Sequence, residues 1–282
     1  RDNPKSPVTF SRPPVNPYYM QNQIFAINQD ENLIFLNKLR ELLDIYTEKT
    51  LVGEIGDSHR AVEIMKSYTR NSRLHMAYSF ELLGKEFSSV FIRSTLEQFF
   101  QEGEESWPCW SFSNHDVTRH VTRWCKDETE SFAKLTCALL LSLKGTPCIY
   151  QGEELGQTET ELLYEEITDP PGIRFWPKNK GRDGCRTPMT WNHKLNNAGF
   201  SDVIPWLPVK DKQKSKSVSI QEKEPNSVLN FYKKYIAYRK LDSALTEGNQ
   251  MFLSDKNNIL VFLRECKDSK TLCIFNLGPL QH

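Results

Sequence analysis

Apolar residues Leu36, Leu39, Leu43 and Tyr46 recur every three or four positions between residues 31 and 46, the spacing of a helix with one buried stripe. A short β run follows at 50–56, Thr-Leu-Val-Gly-Glu-Ile-Gly. The order then repeats. Residues 75–80 read as a strand, 86–102 as a helix, 109–113 as a strand and 129–143 as a helix; past a Gly145-Thr146-Pro147 turn, 148–152 read as a fourth strand. Strands alternating with helices predict parallel strands joined by right-handed crossovers, in either an open doubly wound sheet or a closed (β/α) barrel.

The flanks have a different texture. Residues 1–23 carry five prolines and no apolar period, so they predict a long ordered loop. Residues 156–225 form a polar, proline-bearing excursion. Asn226-Ser227 then caps a helix whose Val228, Phe231, Tyr232, Tyr235 and Ile236 make one apolar stripe. Two final apolar runs, 258–263 and 271–276, flank a polar turn and predict a hairpin; because two strands alone are marginal, a β domain is expected to begin near Gly248.

Polar residues at strand ends favour the barrel. Glu54 closes the first strand, Asn114-His115-Asp116 the third and Glu153-Glu154 the fourth, and a barrel gathers strand ends around one mouth. No Gly-rich phosphate loop follows any strand, which removes the main sign of nucleotide binding. Lys+Arg and Asp+Glu number 36 each, so no basic field gathers nucleic acid. No apolar run approaches the roughly 20 residues that cross a bilayer. The seven cysteines show no CxxC pair and no metal spacing, and several lie in apolar runs, which fits a reducing compartment.

Two carboxylates on different strand ends, Glu54 and Asp116, can flank a glycosidic bond, one protonating the leaving oxygen while the other supports an oxocarbenium-like transition state. Taken singly, each reads equally well as a cap or an ion-pair partner, and Glu153-Glu154 reads better as structural.

The segments TLVGEIGD, SFSNHDVTR, KGTPCIYQGEELG, DPPGIRFWPKNKGRDGCRTPMTW, AGFSDVIPWLPV and SVLNFYKKYIAYRKLDSAL, in this order, resemble the α-glucosidases of glycoside hydrolase family 13, the α-amylase family, over nearly the whole chain. GRDGCRTPM is similar to bacterial enzymes of the oligo-1,6-glucosidase type. The resemblance implies the second half of a (β/α)8 TIM barrel, an α/β fold, over residues 1–247 including the loop 156–225, with 248–282 beginning an antiparallel β domain. It assigns the general acid/base to Glu54 and transition-state stabilisation to Asp116. It assigns sugar contacts to His115 and Arg186, and to Arg182 the aglycone side or the ordering of the loop. The implied activity is a retaining α-glucosidase acting on short oligosaccharides or disaccharides such as maltose, isomaltose or sucrose, with no metal or cofactor, in the bacterial cytoplasm. Rival implications are a glucosyltransferase or isomerase of the same family, and a non-catalytic transporter-associated homologue. The family's nucleophile, an Asp in a GFRxD-like motif, has no counterpart in the 282 residues, and no Met begins them. We therefore expect a piece of a longer protein, inactive and prone to self-association when isolated.

Overall fold

The computed structural model describes residues 2–9, 14–57, 60–100 and 106–278. Strands β1 (Val52–Ile55), β2 (Met76–Ser79), β3 (Cys109–Ser111) and β4 (Thr146–Cys148) are parallel: β1 pairs with β2, and β3 with β4. An Ala77–Pro108 bridge joins the two pairs, giving the spatial order β1-β2-β3-β4. Helix α1 (Asp30–Leu43) precedes β1; α2 (Ala61–Thr69), α3 (Ser89–Phe99) and α4 (Glu130–Ser142) make the three crossovers.

The helices form for local reasons. Ser88 and Thr129 accept hydrogen bonds from Phe91 and Phe132 N–H, capping α3 and α4. Helix α2 buries Ala61, Ile64, Met65 and Tyr68 on one stripe, with Val62 beside it; the sequence reading assigned no element there. Along β1 and β2, Ile55, Ala77 and Ser79 are buried on one face, while Val52, Glu54, Met76 and Tyr78 alternate onto the other. Val52 on that second face is 54% exposed.

Two expectations need correction. The fourth strand starts at Thr146, inside the predicted turn, and ends at Cys148, before most of the predicted span. Pro147 lies opposite Trp110 in the ladder, where a proline argues against a strand because it offers no N–H. The predicted helix 86–102 begins at Ser89, and its last positions lie outside the described residues.

The long excursion contains only short helical turns. Helix α5 (Val228–Leu241), capped by Ser227, then packs on α4 through Val228 and Tyr232 against Ala133, Cys137 and Leu141. Strands β5 (Asn249–Ser254), β6 (Ile259–Glu265) and β7 (Lys270–Asn276) form an antiparallel sheet, one strand more than the predicted hairpin. Leu260, Phe262, Cys273 and Phe275 of this sheet join the same apolar cluster as Ile55, Met65, Leu96 and Trp110. Arg264, fully buried, donates to the carbonyls of Ser142 and Gly248, and Arg239 donates to that of Gly145. Arg264 thus satisfies the Ser142 carbonyl, which the last turn of α4 leaves unpaired, and ties it to Gly248 just ahead of β5. Burial pushes the Arg264 pKa down to about 10.

Candidate active site

Glu54 stands one residue from the C-terminal end of β1, opposite Tyr78 on β2. Its Oε1 accepts hydrogen bonds from Asn114 Nδ2 (3.0 Å) and from the Tyr78 hydroxyl. Asn114 is buried in the turn after β3, and its Oδ1 accepts the Asp116 N–H at 2.9 Å. One side chain thus braces the Glu54 carboxylate and the backbone of Asp116.

Asp116 Oδ1 receives two guanidiniums, Arg182 Nη1 at 3.0 Å and Arg186 Nη2 at 2.9 Å. Arg186 Nε also donates to the His115 carbonyl at 2.7 Å, so its fork grips the turn from the loop 156–225. His115 Nε2 lies 3.7 Å from Asp116 Oδ1. All five residues singled out from the sequence therefore converge, and Glu54, His115 and Asp116 each offer a polar atom within 4.8 Å of the others. That trio has donor types suited to a cation, but the two guanidiniums already on Asp116 oppose a further positive charge there.

The arginine loop is held by a reciprocal clasp. Asp169 is 3% exposed, and its carboxylate accepts from Arg182 through the backbone N–H (2.8 Å), Nε (3.1 Å) and Nη2 (2.7 Å). Fully buried Asp183 accepts in return from the N–H groups of Thr168 and Asp169. Gly181 between them has φ +75°, and a Cβ there would meet Asp169 Oδ2 at 2.7 Å, so glycine is required on both grounds. The hydrogen bonds from Arg182 hold the Asp169 carboxyl below its ordinary range and raise the guanidinium in turn.

A second tie comes from Arg119, 2% exposed, which donates through Nη1 to the Gln151 carbonyl (2.7 Å) and through Nη2 to the Cys185 carbonyl (2.9 Å). Its backbone N–H donates to Glu159 Oε2 at 2.9 Å. Burial pushes Glu159 up to about 7. Glu153 is buried, with its carboxylate 3.7 Å from His120 Nδ1, while Glu154 accepts the Gly152 N–H. Tyr78, Asp169 and Arg119 were not found from the sequence. Arg119 stood inside SFSNHDVTR and Asp169 at the head of the GRDGCRTPM-bearing segment, so their proximity to the motifs was the available signal.

Parallel strands joined by helical crossovers, with polar side chains gathered at their C-terminal ends, place the chain in the class of β/α-barrel proteins. The family described as "Alpha amylase, catalytic domain" matches residues 4–248, and the chain belongs to the alpha-amylase family. It is 45% identical over 270 residues to a probable alpha-glucosidase of Rhizobium meliloti (strain 1021), covering 94% of this chain and 49% of that protein. It is 31% identical over 277 residues to the oligo-1,6-glucosidase of Heyndrickxia coagulans, covering 85% and 49%. The crystal structure of the alpha-glucosyl transfer enzyme XgtA superposes with a TM-score of 0.91 at 44% identity, covering 98% of this chain and 52% of that one. The chain thus spans about half the length of the curated relatives it matches. No helix among the described residues is long and apolar enough to cross a membrane.

Proposed function

We propose that the protein carrying these residues is a retaining α-glucosidase that releases glucose from the non-reducing end of short α-glucosides. Glu54 acts as general acid toward the departing oxygen and then as general base toward water. Asp116 holds ring hydroxyls as the sugar flattens toward the oxocarbenium-like transition state, and His115 and Arg186 contact the same ring. Arg182 orders the loop that brings Arg186 to Asp116. The nucleophile is a third carboxylate, from the GFRxD-like motif that the 282 residues do not contain. In this reading residues 1–247 supply the second half of the barrel, and the β domain runs from residue 248 onward.

The observation that carries the proposal is the meeting of Glu54 and Asp116 at one strand-end mouth, braced by a single Asn114 and faced by Arg186. The likeness to XgtA favours a second reading, in which a sugar hydroxyl replaces water as acceptor in the second step. Proton NMR of maltose turnover by the complete protein separates the possibilities. Retaining hydrolysis releases α-glucose first, and transfer builds new glucosidic linkages. Release of β-glucose first contradicts retention, and no reaction with any α-glucoside contradicts the proposal.

A further inference from the structure

The hydrogen bonds at Glu54 decide which of its oxygens carries the proton. A carboxylate oxygen offers two lone pairs in the carboxylate plane. Oε1 already accepts from two donors, the Tyr78 hydroxyl and Asn114 Nδ2. An oxygen with both lone pairs engaged has no room for a proton of its own. Oε2 has no protein hydrogen bond among the described residues that would compete with a leaving group. The donors are also dependable: Asn114 is held by its second bond to the Asp116 N–H, and Tyr78 lies directly opposite Glu54 in the β1-β2 register.

We infer that Tyr78 is a positioning residue for the proposed glucosidase reaction: with Asn114 it pins Glu54 through Oε1 and so assigns proton delivery to Oε2. The inference rests on the α-glucosidase reading. Burial and the bond to Glu54 push the Tyr78 hydroxyl well above its ordinary range, so it remains protonated and a donor across the working pH range. In the first step the O–H bond at Oε2 breaks as the glycosidic oxygen takes the proton, leaving Glu54 ionised. In the second step the same oxygen takes a proton from the attacking water, which restores the acid.

The two braces have separable consequences. Tyr78 bonds only Glu54, whereas Asn114 bonds the Glu54 carboxylate and also the backbone N–H of Asp116. Tyr78→Phe keeps the ring and its packing and removes only the hydroxyl. In the complete protein it should lower kcat/KM for maltose, whose leaving oxygen is basic, by about 10- to 100-fold, the cost of a misplaced catalytic group. It should change kcat/KM for 2,4-dinitrophenyl α-glucoside, which departs without acid help, less than about twofold. Asn114→Ala should depress both substrates, because Asp116 loses its brace as well.

Equal losses on both substrates for Tyr78→Phe, or no loss on maltose, overturn the inference, since a merely structural tyrosine shows no dependence on the leaving group. Urea unfolding of the variant guards the reading, with a midpoint near that of the unsubstituted protein expected. Absence of turnover by the unsubstituted protein overturns the glucosidase proposal and this inference with it. Normal turnover that Tyr78→Phe leaves unaltered overturns this inference alone.

Discussion

Replacing Asp169 by Asn removes the charge from the clasp that holds the arginine loop. The carboxylate accepts three short bonds from Arg182, through the backbone N–H, Nε and Nη2. Charge-assisted hydrogen bonds contribute about 1.5–3 kcal/mol each, and breaking a buried pair costs about 3–5 kcal/mol. Two features reduce that figure: Arg182 keeps 38% of its side chain in solvent, and Asn retains one acceptor oxygen. The expected destabilisation is about 2 kcal/mol at pH 7. The sign of its pH dependence follows from the depressed carboxyl. A group with a lowered folded-state pKa contributes its full stability above the unfolded value, about 3.9 for Asp, and loses it as pH falls through the lower folded value. Urea titrations of both proteins should therefore show a constant gap between pH 7 and 5 that closes as pH falls below about 4. Maltose turnover should also drop about tenfold at pH 7, because Arg182 no longer steadies Asp116. A stability gap undiminished at pH 3, or absent at pH 7, refutes the clasp as the source of the effect.

Asp116→Asn should lower kcat on maltose by several orders of magnitude with a smaller change in binding of a ground-state inhibitor, because its contacts strengthen as the ring flattens; near-normal turnover removes Asp116 from the site. Glu159, raised by burial to about 7, binds its proton more tightly folded than unfolded, where the value is about 4.3. Stability should accordingly fall as pH rises between those values, by up to about 4 kcal/mol, and Glu159→Gln should flatten that slope in urea titrations across pH 4–8.

The alternation of strand and helix was legible in the short β runs around β1, β2 and β3 and in the Thr129 start of α4, whereas the Ser88 cap of α3 was passed over and that helix was expected from 86. Helix α2 escaped although Ala61, Ile64, Met65 and Tyr68 carry the helical spacing, because its 9 residues are shorter than the window of roughly 11–18 over which that period is read. Strand β4 was displaced because Pro147 carries a turn signal locally, while its strand pairing with Trp110 is a tertiary event. The same division holds at the site. Glu54, His115, Asp116, Arg182 and Arg186 stand in short contiguous motifs that were singled out by their resemblance to those of the α-amylase family. Tyr78 looks like any strand tyrosine, and its bond to Glu54 spans 24 residues. Asp169 meets Arg182 only because a loop folds back over 13 positions, and no periodicity announces such a contact.

The central claim is that Glu54 is the acid of a glycosidic cleavage at this mouth. Its most direct test is Glu54→Gln in the complete protein, comparing glycosylation rates for maltose and 2,4-dinitrophenyl α-glucoside by single-turnover kinetics. Gln keeps the shape of the side chain and cannot donate the proton, and demand for that proton grows with the basicity of the leaving oxygen. The account predicts near-complete loss of maltose cleavage, at least about 100-fold, with cleavage of the activated glucoside largely retained; equal losses on the two substrates would contradict it.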